Sequence, residues 1–234
     1  AEGRLAGKVA IVTGAAPRGE GIGNGTAAAL LFAREGAKVV LVNRSAERGQ
    51  TLADRIAAEG GEAAVFAGDV SETGTADAMA AFATERFGGV DILHNNVGIG
   101  GPGTAETASL EQWNEMFQVN LTGTLLCIRA CLPEMRKRGG GSIINISSIA
   151  GATGLMRETG AVAYTTTKAG LHGLTLSVAA DYAAEGIGAG RPDAAGGGGH
   201  RLGHRLGRRL PRQRRVALGD RGAHPRRRRL PGAA

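Results

Sequence analysis

Tyr164 and Lys168 stand four residues apart in "AYTTTKAG", a spacing that puts both side chains on one face of a helix. A free tyrosine has a pKa of about 10, too high for acid–base work at neutral pH. A neighbouring ammonium favours the phenolate and lowers that value, toward the range acid–base work needs. A Tyr-x-x-x-Lys pair is also common by chance and usually structural. Its weight depends on its company.

The first company is a glycine loop. "KVAIVTG" (residues 8–14) is a short, apolar, β-branched run stopped by glycine, the mark of a buried strand, and "GTAAALLFAREG" reads as a helix ending at Gly36. Between them lies "TGAAPRGEGIGNG". In a strand–loop–helix setting such a loop is expected to bind a dinucleotide, the alternative being a plain turn. Gly14 allows the sharp turn, Gly21 lets the backbone approach a pyrophosphate, and Gly23 permits close helix packing, with Ile22 between the last two. The helix N-terminus then faces the phosphates.

The second strand ends "VLVNRS". Where a dinucleotide domain usually carries an acid for the adenosine ribose, this chain has Asn43, then Arg44, with Arg18 in the glycine loop. A 2′-phosphate meets no repelling carboxylate and finds arginine, so NADP is favoured over NAD. The plain alternative is that Arg44 is a solvated residue at a helix start.

These residues need a frame. After the first helix come the strand "AKVVLVN", a helix "SAERGQTLADRIAAEGG" with Ser45 as N-cap, and the strand "AAVFAGDV". The helix "TADAMAAFATERFGG" and the strand "VDILHNN" follow. One long helix is predicted from near Ser109 through "CLPEMRKRG", then the strand "GSIINISS" and a last long helix around Tyr164. Apolar strands alternating with helices imply an α/β fold, a Rossmann-like doubly wound parallel sheet covered on both faces. Cys127 and Cys131, the only cysteines, are expected in the core, as is His94, read as a hydrogen-bonded core histidine.

In this order the chain resembles the short-chain dehydrogenase/reductase family over about residues 5–187. The motifs are "TGAAPRGEGIG", "GDV" at Asp69, "NNVG" at residues 95–98, "VNLTG" at Asn120, "INISS" and "YTTTK". The resemblance implies an NAD(P)-dependent oxidoreductase interconverting a secondary alcohol and a ketone, or an aldehyde, by hydride transfer. It makes Tyr164 the general acid/base, and Lys168 the group that lowers its pKa and binds the nicotinamide ribose. Ser148 holds the substrate oxygen and Asn120 anchors a relay water. Asp69 and Val70 contact the adenine; Asn96, Val97 and Gly98 line the cofactor cleft. Without the family, Ser148 and Asn120 read as structural polar residues. Family members also pair the helices bearing Trp113 and Tyr164, implying a homodimer or homotetramer.

Two departures are local: six residues separate Gly14 from Gly21, and "LMRETG" looks inserted before Tyr164. The third is large. From Gly188 onward, 35 of 47 residues are Arg, Gly, Ala or Pro, with thirteen Arg against two Asp and no Ile, Phe, Tyr, Trp or Met. Strands six and seven therefore look missing, the segment 188–234 is expected to be disordered, and "SIINI" becomes an apolar edge. The composition fits a G/C-rich gene read out of frame from near Ile187.

The net charge of +7 belongs to this tail, because the body carries fifteen basic and nineteen acidic residues. Two rival readings remain: a cofactor-binding or inactive remnant, and a non-specific nucleic-acid arm. No long apolar run, signal-peptide pattern or metal-ligand spacing is present, so the expectation is a cytoplasmic enzyme of a small-molecule substrate, with no specific nucleic acid and no membrane.

Overall fold

Val9–Thr13 (β1) is buried at every position, and Lys38–Asn43 (β2) is buried throughout its interior. Strands apolar on both faces need cover on both faces, which a parallel sheet with helical crossovers supplies. Glu62–Ala67 (β3), Ile92–Asn95 (β4), Gly141–Asn145 (β5) and Ile187–Gly188 (β6) complete the sheet. Its order is β3-β2-β1-β4-β5-β6, and every pairing is parallel. The order reverses between β1 and β4, the point where open α/β sheets leave a crevice. The expected Rossmann-like doubly wound arrangement is therefore found. The computed structural model describes residues 3–17, 19, 21–154 and 160–188, all within the unit Ala1–Gly199; the second unit, His200–Ala234, lies outside them. The expectations for Arg18, for most of "LMRETG" and for the tail beyond Gly188 fall outside the described residues.

The helices are Asn24–Arg34 (α1), Ala46–Ala58 (α2), Thr75–Phe87 (α3), Leu110–Phe117 (α4), Gly123–Lys137 (α5), Ile149–Thr153 (α6) and Val162–Tyr182 (α7). Successive strand residues point to opposite faces, which divides the core in two. Ala10, Val12, Val39 and Leu41 pack with α1 and α2, through Leu30, Ala33, Leu52 and Ile56. Ile11, Val40, Leu93 and Ile143 pack with α3, α5 and α7, through Met79, Cys127, Ile128, Cys131 and Val178. Both cysteines are free and buried, and burial pushes the Cys127 thiol up to about 12. Ser45 and Ser109 act as N-caps, accepting from the backbone N–H groups of Arg48 and Gln112. Among the described residues no helix is long and apolar enough to cross a membrane.

The structure departs from the sequence reading in two elements. The long helix from Ser109 runs unbroken but is not α-helical throughout: residues Gln118–Thr122 form a π-turn between α4 and α5, with the Gly123 N–H bonded to the Gln118 carbonyl. The sixth strand, read as missing, is begun. Ile187 pairs with Gly141 and is 1% exposed, the last apolar side chain to join the core among the described residues. The pairing stops after two residues, so Ile143–Asn145 of β5 have no strand neighbour on that side among the described residues. No seventh strand occurs among them.

Candidate active site

Because every strand runs the same way, the candidate residues collect along one edge of the sheet. Gly14 leaves β1 with φ of +62°, a conformation that suits glycine. Its carbonyl accepts from Asn96 Nδ2 at 3.0 Å. Thr13 Oγ1 accepts from the backbone N–H groups of Asn96 and Val97 at 3.0 and 3.3 Å, lashing the end of β1 to the end of β4. Asn96 thus braces the loop as well as lining the cleft.

The close helix packing assigned to Gly23 belongs to Gly25. A Cβ on Gly25 would lie 2.3 Å from the Gly14 carbonyl oxygen, whereas one on Gly23 would meet only Pro17 Cβ at 3.9 Å. Gly23 instead caps α1 and offers its first turn no side-chain partner. Gly21 has φ of +98° and open space around it, and Ile22 is 61% exposed. Exposed N–H groups at a helix start, reached by a glycine loop, fit the pyrophosphate of a dinucleotide.

Beyond this loop, Asn43 Nδ2 donates to the Ser45 carbonyl at 3.1 Å, and the half-exposed Arg44 reaches Asp69 at 3.5 Å. Burial raises the Asp69 pKa, but two hydrogen bonds from Ser71 and the Arg44 charge outweigh it and leave the carboxyl below its ordinary range. Val70 is 3% exposed and its side chain belongs to the core, so only its backbone is free to face an adenine.

The catalytic candidates converge from three elements. The π-turn carries Asn120, fully buried, whose Oδ1 accepts from the Ile99 N–H at 2.8 Å. Its Nδ2 donates to the Ile99 carbonyl and to Thr167 Oγ1, both at 2.9 Å, and its own carbonyl accepts from Thr124. Its side chain therefore holds the loop after β4. From α7, Lys168 is 4% exposed and donates to the Ile146 carbonyl at 2.7 Å; burial pushes its pKa down. Its Nζ lies 5.9 Å from the centre of the Tyr164 ring, so the expected helix-face pair is formed. After β5, Ser148 caps α6, accepting from the Ala150 N–H at 3.2 Å.

Ser148, Tyr164, Lys168, Asn96 and Gly98 line a single cleft of about 860 Å³, ample for a cofactor and a small substrate. Sequence reasoning missed Asn24, Ile99, Gly100, Pro102 and Ala161 on its wall. Glycine at two positions shapes it. A Cβ on Gly98 would lie 3.1 Å from Lys168 Nζ, and one on Gly100 would lie 3.3 Å from Tyr164 Cδ2. A shallower groove of about 530 Å³ at Arg136, Gly139 and Glu185 holds none of these residues. His94 is buried as expected but not fully hydrogen-bonded: Nδ1 has no partner, and the ring packs edge-on against Phe32.

This arrangement can hold a dinucleotide along the strand ends and place a substrate oxygen between Ser148 and Tyr164. Comparison with known proteins gives the family. The family model described as short chain dehydrogenase matches residues 8–190. The chain is 40% identical over 184 residues to the 2,5-dichloro-2,5-cyclohexadiene-1,4-diol dehydrogenase of Sphingobium indicum, covering 79% of this chain and 70% of that protein. It is 38% identical to the cyclohexanol dehydrogenase of an Acinetobacter species, covering 77% and 69%. With the 3-alpha-(or 20-beta)-hydroxysteroid dehydrogenase of Mycobacterium tuberculosis it shares 41% identity, covering 79% and 67%. A crystal structure of a short-chain dehydrogenase/reductase from Burkholderia xenovorans, 38% identical, superposes with a TM-score of 0.75, covering 79% of this chain and 73% of that one.

Proposed function

Since the chain belongs to the short-chain dehydrogenase family, we propose that it interconverts a secondary alcohol carried on a ring and the corresponding ketone, using NADP in preference to NAD. The observation that carries this reading is the single cleft in which Ser148, Tyr164 and Lys168 meet beside the β1–α1 glycine loop. The ring preference is supported by relatives whose names specify cyclic alcohols, and by Gly100, which leaves the edge of Tyr164 uncrowded.

A bound nicotinamide would supply the hydride acceptor for alcohol oxidation and the donor for ketone reduction. The protein handles the proton. Ser148 donates a hydrogen bond to the substrate oxygen and holds it near Tyr164. During oxidation Tyr164 takes the hydroxyl proton; during reduction it returns a proton to the developing alkoxide. Lys168 stands beside Tyr164, its Nζ 5.9 Å from the ring centre and held by the Ile146 carbonyl, so a cation sits next to the proton-transferring group. Asn120 holds in place the loop after β4, whose Ile99 lines the cleft. Gly14, Gly21, Ile22 and Gly23 hold the pyrophosphate side, Asp69 and Val70 the adenine side, and Val97 and Gly98 the nicotinamide side. The preference for NADP rests on Asn43 and Arg44, which present no carboxylate of their own to a 2′-phosphate.

The same reading makes the protein a homodimer or homotetramer. Leu110 on α4, Leu125 on α5 and Leu176 on α7 are 79%, 41% and 73% exposed, and α4 also carries the stacked Trp113 and Phe117 rings. Light scattering on the purified chain tests this, a monomer refuting it.

The function itself is tested by titrating NADPH and NADH, then assaying cyclohexanol oxidation and cyclohexanone reduction. Tight nucleotide binding with turnover supports the reading. Binding without turnover would make the chain a nucleotide-binding protein only.

A further inference from the structure

Ser147 and His172 have no part in the chemistry above, yet both bear on Lys168. Ser147 Oγ lies 2.7 Å from the Lys168 carbonyl oxygen and 2.8 Å from His172 Nε2. A hydroxyl has one proton, and a carbonyl oxygen can only accept. The Ser147 proton therefore points at Lys168, and the Ser147 oxygen must accept from His172. Nε2 of His172 consequently carries a hydrogen.

The next contact completes the arrangement. Lys168 Nζ donates to the carbonyl of Ile146, the residue before Ser147. Two consecutive residues after β5 thus grip Lys168 at both ends, its ammonium and its backbone carbonyl. His172, one turn further along α7, holds the grip shut. The packing leaves no slack: a Cβ on Gly151 would fall 2.6 Å from the Lys168 carbonyl carbon. Ser148 follows directly on Ser147, so this link also fixes where Ser148 enters the cleft.

We propose that His172 and Ser147 are positioning residues that set the register of Lys168 and Ser148 against Tyr164. The inference rests on the dehydrogenase reading above. Ser147 borders the cleft, but its hydroxyl proton is committed to the Lys168 carbonyl, and His172 does not line the cleft, so both act through Lys168 and Ser148. A misplacement of about an ångström costs up to about a hundredfold in rate, so a partial loosening should cost about tenfold.

The test compares His172→Phe, His172→Gln, Ser147→Ala and Ser147→Thr with the unmodified chain, using NADPH and cyclohexanone. Phe and Ala are expected to lower kcat about tenfold, with nucleotide affinity and KM for the ketone within about a factor of two. Gln, which can donate from its amide, and Thr, which keeps the hydroxyl, should recover most of the loss. Ser147→Ala combined with His172→Phe should be no worse than the poorer single variant. Unchanged kcat in Phe and Ala overturns the proposal. So does a Gln variant as slow as Phe, which would indicate packing alone. Long-range proton–nitrogen NMR of the unmodified chain should show His172 with hydrogen on Nε2; hydrogen on Nδ1 alone overturns the hydrogen-bond chain even if the enzyme is active. No turnover by the unmodified chain with either nucleotide overturns the dehydrogenase reading, and the positioning role with it.

Discussion

Asn120 holds the backbone of Ile99 by both its polar groups: Oδ1 accepts from the Ile99 N–H at 2.8 Å and Nδ2 donates to the Ile99 carbonyl at 2.9 Å. The π-turn makes this possible by adding one residue to the helix and turning Asn120 into the interior. The consequence is a fixed wall on the Tyr164 side of the cleft.

Asn120→Leu should therefore leave two backbone groups of Ile99 unsatisfied, costing about 1–3 kcal/mol for each buried group. Thermal denaturation should show a fall of several degrees, and turnover should fall with it. Asn120→Asp should be no better, because a carboxylate cannot donate to Ile99 or Thr167.

Gly25→Ala places a methyl 2.3 Å from the Gly14 carbonyl oxygen, a backbone atom that cannot yield cheaply. The expected cost is about 1–3 kcal/mol, read by denaturant unfolding, with weakened nucleotide binding because the phosphate loop shifts. Gly23→Ala meets only a 3.9 Å contact and should leave global stability almost unchanged.

The cofactor preference turns on the end of β2. Asn43→Asp puts a carboxylate where a 2′-phosphate is proposed to bind. NADPH affinity should fall about tenfold or more while NADH affinity holds or improves. Fluorescence titration of both nucleotides checks it, and an equal effect on the two would refute the assignment.

Asp91 predicts how stability responds to acid. It is buried where Lys8, Arg138 and the Val9 N–H converge; burial raises its pKa, but these partners outweigh burial and leave it below the ordinary range. A carboxyl whose folded pKa is depressed adds stability that is complete above its unfolded value of about 3.9. That stability drains away as the pH falls further, through the depressed folded value. Denaturant unfolding across pH 3–7 should show a loss below about pH 4, and Asp91→Asn should flatten that part of the curve while lowering stability at neutral pH.

The strands and helices were legible because each is a short apolar run or a patterned stretch, and the caps at Ser45 and Ser109 announce themselves one turn ahead. The Tyr164–Lys168 pair is likewise local. The π-turn was not legible, since an apolar pattern runs through residues 110–135 without a break and one extra residue leaves no mark on it. Gly25 was hidden for another reason: its need for glycine arises from the Gly14 carbonyl, a contact made only when helix meets strand. The same holds for Thr13, which bridges to residues more than eighty positions away. Ser147 and His172 are twenty-five apart and meet only because β5 and α7 lie side by side. Ile187, the last apolar residue before the basic tail, was read as the end of the pattern, yet it pairs with Gly141 and fills the core.

The proposed proton transfer depends most directly on Tyr164. Steady-state reduction of cyclohexanone by Tyr164→Phe, at saturating NADPH and with nucleotide affinity measured alongside, isolates the proton-transfer role. The predicted result is a fall in kcat of about a hundredfold or more with NADPH affinity preserved. Turnover close to that of the unmodified chain would contradict it.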